Sequence, residues 1–280
     1  MSKIPQRSID ELLARYEFEP GLKDVYVEGL FDKEIFSMCL EGDEESVRAI
    51  YEIDSVEVPS EILVEYGLTS GNKQRVIALA KKLAVLGDEP NYRCVVDRDL
   101  DHWLHGLENV PKLVWTAHTS IEMYFFTIDI LRRILLVGSK AKINNLNLYL
   151  ASAASVLKSI YAMRLVDREL KWNMSWVEPT GQFSEASGVI SFSEQAYIRR
   201  LLSKNNRMAD LSDFNDALTN WKAKLAGDPR GFIRGHDFVE MLAWSVKEFK
   251  GMKEFQTAPA MERLLVMTAD KVVELKELVC

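Results

Sequence analysis

The sequence predicts an α/β fold, a parallel sheet wound with helices, followed by an α-helical C-terminal subdomain. Three observations carry this. Short apolar runs rich in β-branched and aromatic residues recur through the first 117 residues with helical stretches between them, the spacing of parallel βαβ units. From about residue 118 those runs cease, and apolar residues fall at helical intervals instead. Acidic residues also stand where strands end, and in wound sheets ligands gather beyond the carboxyl ends of the strands.

The elements follow in order. In VYVEGLFDKEIF, residues 25–36, the first three residues read as a buried strand. Glu28 leaves the sheet, Gly29 is free to take backbone angles closed to other residues, and Asp32 is placed to cap the helix DKEIFSMCLEG. VRAIYEI (47–53) is the second strand. In VEVPSEILVEYGL, Pro59 argues against a central strand. GNKQRVIALAKKLAVLG (71–87) is a helix with Val76, Ile77, Leu79, Ala80 and Leu83 on one side. YRCVVD (92–97) and KLVWTA (112–117) are the third and fourth strands. SIEMYFFTIDILRRILLVG and INNLNLYLASAASVLKSIYAMRLVDREL then read as two long helices. WNMSWVEPTGQFSEASG reads as a loop, punctuated by Gly and Pro. FSEQAYIRRLLSKN, LSDFNDALTNWKAKLAG, GHDFVEMLAWSVKEFKG and APAMERLLVMTADKVVELKEL are further helices. The division expected is 1–135 and 136–280.

Composition bounds the function. A hydrophobic content of 48% and a charged content of 28% belong to a globular chain rather than a disordered one. Charge is uneven: residues 1–129 hold 13 Lys and Arg against 25 Asp and Glu, and residues 130–280 hold 22 against 17. An acidic half beside a basic half permits a metal-collecting site near a phosphate-attracting surface, and equally two differently solvated subdomains. Three scattered cysteines, Cys39, Cys94 and Cys280, make no disulfide framework and suit a reducing cytoplasm. MSKIPQRSIDELLARYEFE lacks the apolar core of a signal peptide. The most apolar long segment, 123–137, is interrupted by Asp129, Arg132 and Arg133, so no membrane association is expected.

The second informative stretch is VVDRDLDHW, residues 95–103. Asp97, Asp99 and Asp101 follow a strand, and alternate side chains of an extended backbone share a face. Their mutual repulsion is relieved by a divalent cation, and Mg²⁺ prefers hard carboxylate oxygens while keeping several waters. A solvated acidic loop is the other reading. HWLH, 102–105, offers two imidazoles, but no nearby cysteine or carboxylate completes a tetrahedral zinc set.

Taken together, EGLFDKE and VVDRDLD resemble the first and second motifs of the TOPRIM domain shared by topoisomerases, primases and OLD-type nucleases. GNKQRV is similar to the Gly-and-basic segment that these domains carry between the two. TSIEMYFF (119–126) resembles a downstream motif in which a helix presents one more acid, here Glu122. RGHDF (234–238) resembles a motif of the small TOPRIM group that includes the AriB effector of the PARIS anti-phage defence system. The resemblance implies a TOPRIM-like Rossmannoid sheet and a metal-dependent endonuclease acting as a toxic effector. Its implied cofactor is Mg²⁺ or Mn²⁺, its substrate RNA with tRNA the specific expectation, and its partner an ABC-type ATPase of the AriA kind.

On this reading Glu28, Asp97 and Asp99 are metal ligands and catalytic residues, with Glu28 alternatively the general acid/base. Asp101 and Glu122 serve a second ion. Asp32 is open between capping and the site. Lys73 and Arg75 contact phosphate near a helix start or line a solvated face. Arg234 and His236 hold substrate or assist proton transfer, or are packing residues. YIRRLLSKNNR (197–207) is a basic patch with an aromatic beside it, or a solvated helix. The helix AMERLLVMTADKVVELKEL serves docking, a homodimer, or simply the core. An OLD-like DNA nuclease and a non-cleaving regulatory subunit of the ATPase complex remain the alternatives.

Overall fold

The computed structural model describes residues 6–42 and 48–280. It is an α/β protein with parallel sheets and a helical C-terminal region. The chain divides into two units that interleave in sequence. The first comprises residues 1–98, 107–121 and 266–280, and the second 99–106 and 122–265. A single cut after residue 135 therefore does not follow the units: residues 122–135 belong to the second, and 266–280 to the first.

In the first unit β1 (Arg7–Ser8) leads into α1 (Ile9–Phe18). Ser8 accepts from Glu11 N while Glu11 accepts from Ser8 N, a capping box that starts the helix. Next come β2 (Asp24–Val27), α2 (Leu30–Cys39), β3 (Ala49–Glu52), β4 (Val56–Glu57) and α3 (Ser60–Glu65). After them run α4 (Asn72–Leu83), β5 (Arg93–Val96) and, past α5 (Asp101–Leu104) of the other unit, β6 (Leu113–Trp115). Val47 of the second expected strand lies outside the described residues, as do residues 1–5 of the N-terminal stretch read for a signal peptide.

The main sheet has the order β3-β2-β5-β6 and is parallel throughout, while β1 and β4 form a small parallel pair of their own. Alternation sends Tyr26, Cys94 and Val96 into one core with Leu12 and Tyr16 of α1 and Val76, Leu79 and Leu83 of α4. Val25, Val27 and Val95 point to the opposite face, where α2 packs with Ile35 and Phe36 buried. Both faces are covered, which is why these strands read as continuous apolar runs. The connection after β2 runs to one side, to β3, and the connection after β3 returns past β2 to β5. The strand order thus reverses between β2 and β5.

The 266–280 segment closes this unit. Its helix α12 (Glu274–Val279) packs on α2 and β5, and Arg93 donates to the carbonyls of Leu278 and Cys280 at 3.3 and 2.6 Å. Leu275, Leu278 and Val279 are buried. Of the three uses expected for the C-terminal apolar stretch, core packing accounts for these residues, and the stretch is broken into α11 (Ala258–Val266), of the second unit but for Val266, and α12 rather than one helix.

The second unit contains α5 (Asp101–Leu104), α6 (Ile128–Leu131), α7 (Leu146–Glu169), β7 (Phe183–Ala186) and β8 (Val189–Phe192). α8 (Glu194–Lys204), α9 (Leu211–Lys224) and α10 (Gly235–Glu248) follow. Two expectations are corrected here. The segment 120–138 is not one helix: a 3₁₀ turn at Ile121–Phe125 ends where Thr127 takes an extended backbone and caps α6, which passes into a π-helical stretch, Arg132–Gly138. The expected loop 172–188 contains one arm of an antiparallel hairpin, with Ser187 and Gly188 at the tip in the left-handed region. Among the described residues no helix is long and apolar enough to cross a membrane.

Candidate functional site

The strand-order reversal between β2 and β5 is where a wound parallel sheet opens a crevice at its carboxyl end. Glu28 follows β2 and Asp97 follows β5, so the topology brings together two acids 69 positions apart. The contact is direct: the backbone N–H of Asp97 donates to Glu28 Oε1 at 3.0 Å. Asp97 is itself oriented, because the N–H of Ile121 donates to its Oδ1 at 3.0 Å. The chain just beyond is held by Thr116, whose buried hydroxyl accepts from Arg98 N and donates to the carbonyl of His118.

Asp32 borders the same cavity as Glu28 and Asp97. It is not the N-cap residue, which is Gly29, but it does cap the helix start: three residues on, its carboxylate accepts from the Gly29 N–H at 3.1 Å. Gly29 also departs from expectation, with an extended backbone of φ −155° and ψ −177° that any residue adopts. A side chain there would meet nothing within 4 Å, so the glycine leaves open space beside Glu28. The cavity has a volume of about 10 Å³, room for one water or one small ion and not for a nucleotide.

The N-terminus of α4 adjoins this cluster. Asn72 donates from Nδ2 to the Glu28 carbonyl at 2.8 Å, and Gly71 caps the helix at φ +139°, a conformation that only glycine enters readily. Of the two expected phosphate contacts, Lys73 has its ammonium over the Trp115 ring at 5.3 Å. The Arg75 guanidinium is committed to Asp54, Asn72 and the carbonyls of Ile53 and Val56, so it binds the α4 start to the β3–β4 connection.

Asp99, Asp101 and Glu122 belong to the second unit. Asp99 takes φ +47°, a region that aspartate tolerates better than most residues, and its carbonyl accepts from Tyr161 Oη at 2.5 Å. Asp101 opens α5, and the His102 and Trp103 rings that follow both reach the Gly231 carbonyl, at 3.1 and 3.0 Å. His102 is thus engaged by backbone, and His105 is exposed. Glu122 lies in the 3₁₀ turn, half-buried.

Arg234 is the N-cap position of α10 and His236 is exposed. Asp237, between them and the helix core, is 5% exposed and receives both Nε and Nη2 of Arg164, at 2.8 and 2.7 Å. The Arg164 guanidinium also stacks on Trp176 at 4.2 Å. This part of RGHDF is a structural ion pair. In YIRRLLSKNNR the aromatic is likewise internal: Tyr197 is buried and donates to the Val177 carbonyl, while Arg199, Arg200 and Lys204 face solvent.

Carboxylate oxygens are the donors that Mg²⁺ and Mn²⁺ favour, and Mg²⁺ is commonly held by one or two carboxylates with waters and phosphate oxygens completing the shell. Glu28 and Asp97 fit that minimal set. Among the described residues no group of three His, Cys, Asp or Glu side chains stands assembled for an ion. Sequence reasoning missed Asn72, Thr116 and the Ile121 N–H as the groups that hold the two acids. Asn72 lay within the GNKQRV segment already singled out, whereas a backbone donor leaves no sequence signal. No protein-family model matches the chain, and no curated protein matches it.

Proposed function

We propose that the protein is a divalent-metal-dependent phosphodiesterase of the TOPRIM kind, an endonuclease whose metal is held by Glu28 and Asp97. The observation that carries this reading is the bond from the Asp97 N–H to Glu28 Oε1 at the strand-order reversal. The backbone of one acid meets the carboxylate of the other, and both border one cavity where such sheets bind ligands. A bound Mg²⁺ or Mn²⁺ supplies neutralisation of the phosphate and a more acidic water.

The chain's own groups do the rest. Glu28 and Asp97 would fix the site of positive charge, and the Ile121 N–H holds one oxygen of the Asp97 carboxylate in place. The N-terminus of α4, tethered by Asn72, is the positive end of a helix, which favours an anion such as phosphate. Lys73, its ammonium over the Trp115 ring, adds a cation on that turn. Roles for Asp99, Asp101 and Glu122, and for Arg234 and His236, are proposed on the sequence resemblance alone. So are RNA, and tRNA in particular, as substrate, release from an ABC-type ATPase partner as the trigger, and a role as toxic effector in anti-phage defence.

The test is incubation of purified protein with RNA and with DNA in Mg²⁺ or Mn²⁺, followed by sequencing of the cut ends. The expected result is metal-dependent ends in RNA that vanish with EDTA and with Glu28→Gln. Cleavage of DNA alone would move the reading to an OLD-like nuclease. Intact polymers with every ion tried, from a folded protein freed of its partner, would overturn it.

A further inference from the structure

A larger cavity opens in the same α/β unit on the other side of β2, with a volume of about 420 Å³, within the range of small-molecule sites. Its floor is Leu12, Tyr26 and Val56, all buried. Tyr51 stands over that floor, stacked on Tyr26 with ring centroids 5.6 Å apart. Two cations border the space. The Arg7 guanidinium lies 5.3 Å from the centre of the Tyr51 ring, and Lys33 of α2 reaches Glu52 at 3.2 Å. Gln6 and Ser55, donors and acceptors both, complete the rim.

We propose that this cavity binds one nucleotide, its base against the Tyr51 ring and its phosphate at Arg7 and Lys33. The chemistry selects this class. An aromatic wall over an apolar floor favours a flat ring, and stacking on tyrosine accepts any base because every base has a π-face. Arg7 and Lys33 border the space in a half of the chain that carries nearly twice as many acids as bases, and with Glu52 paired to Lys33 the lining keeps one net positive charge for an anion. An amide, a hydroxyl and a carboxylate at the rim match the mixed donor and acceptor edge of a base. An aliphatic ligand would strip water from Arg7, Lys33 and Glu52 without replacing their contacts.

The position adds a reason. Glu52 pairs in register with Val27, the residue before Glu28, and Lys33 follows Asp32. The cavity thus adjoins the Glu28 side of the candidate metal site, while remaining a separate space with its own lining. The inference does not depend on cleavage: a free nucleotide and one unit of a longer strand present the same base and phosphate.

The experiment is equilibrium dialysis of the full chain in EDTA against labelled AMP, GMP, CMP and UMP and a short single-stranded RNA. Adenosine and inorganic phosphate serve as half-ligand controls. The expected result is saturable binding of one nucleotide per chain, weaker by about tenfold in Tyr51→Ala and weakened likewise in Arg7→Ala. Both half-ligands bind much less well. Arg7 is exposed, so its variant keeps the fold even where Tyr51→Ala does not. Glu28→Gln binds as the wild type does, which separates this site from the proposed catalytic one. Binding of mononucleotides identifies a free ligand, and binding of the RNA alone identifies a substrate unit. Absence of both at millimolar concentration, or binding untouched by either variant, overturns the proposal.

Discussion

The Asp97 N–H ends on Glu28 Oε1, and a glutamine at position 28 keeps an oxygen that can accept that bond while removing the charge. Glu28→Gln is therefore expected to melt close to the wild type yet lose metal-dependent cleavage by on the order of a hundredfold or more, read as initial rates at saturating Mg²⁺. Asp97→Asn should behave alike, since its amide oxygen can still accept from Ile121 N. Gly29 offers a sharper residue-scale test. Its extended backbone and open surroundings make Gly29→Ala tolerable to within about 1 kcal/mol, whereas a methyl group beside Glu28 would obstruct a phosphate approaching there. Unchanged melting with reduced cleavage is the expected pair of results. Both acids were legible in the sequence because each directly follows an apolar run. What holds them was not, because Ile121 acts through its backbone.

At the scale of elements, strands and long helices were readable from their periodicity, and the failures have physical causes. Segment 120–138 is mostly apolar on both sides of Thr127, so spacing alone could not reveal the extended Thr127 that restarts the helix. The hairpin of β7 and β8 announces itself only by Ser187-Gly188 between two short alternating runs. α1 is marked in the sequence by Ser8 and Glu11 at capping-box spacing. Arg164 of α7 and Asp237 of α10 are 14% and 5% exposed at the side chain, so Arg164→Ala leaves a carboxylate buried beside the more distant Arg234 alone. The expected loss is about 3–5 kcal/mol in urea unfolding, with much of it recovered when Asp237→Leu is added. An additive double variant would contradict that account.

For the whole molecule, both units rest on buried tyrosines. Burial raises the pKa of Tyr16, Tyr26 and Tyr92 in one unit and of Tyr149, Tyr161 and Tyr197 in the other, with Tyr149 pushed up to about 12. A raised folded-state value keeps the proton on where the unfolded chain releases it. The associated stability is complete below about pH 10, the ordinary tyrosine value, and is lost as pH rises through the folded value. Melting temperature should hold through neutrality and fall steeply above about pH 10. A flat profile to about pH 11.5 would count against these tyrosines as core anchors. The interleaving of the units was not legible, because composition changes once along the chain while the contacts of 266–280 return to the sheet.

That return has a consequence during translation. The strands bearing Val25, Val27 and Val95 leave the ribosome well before α12, which packs on α2 and β5. Synthesis of residues 122–265 occupies roughly 7–30 s at 5–20 residues per second. Through that interval the nascent sheet lacks part of its cover, a target for holdase chaperones that the finished protein no longer presents.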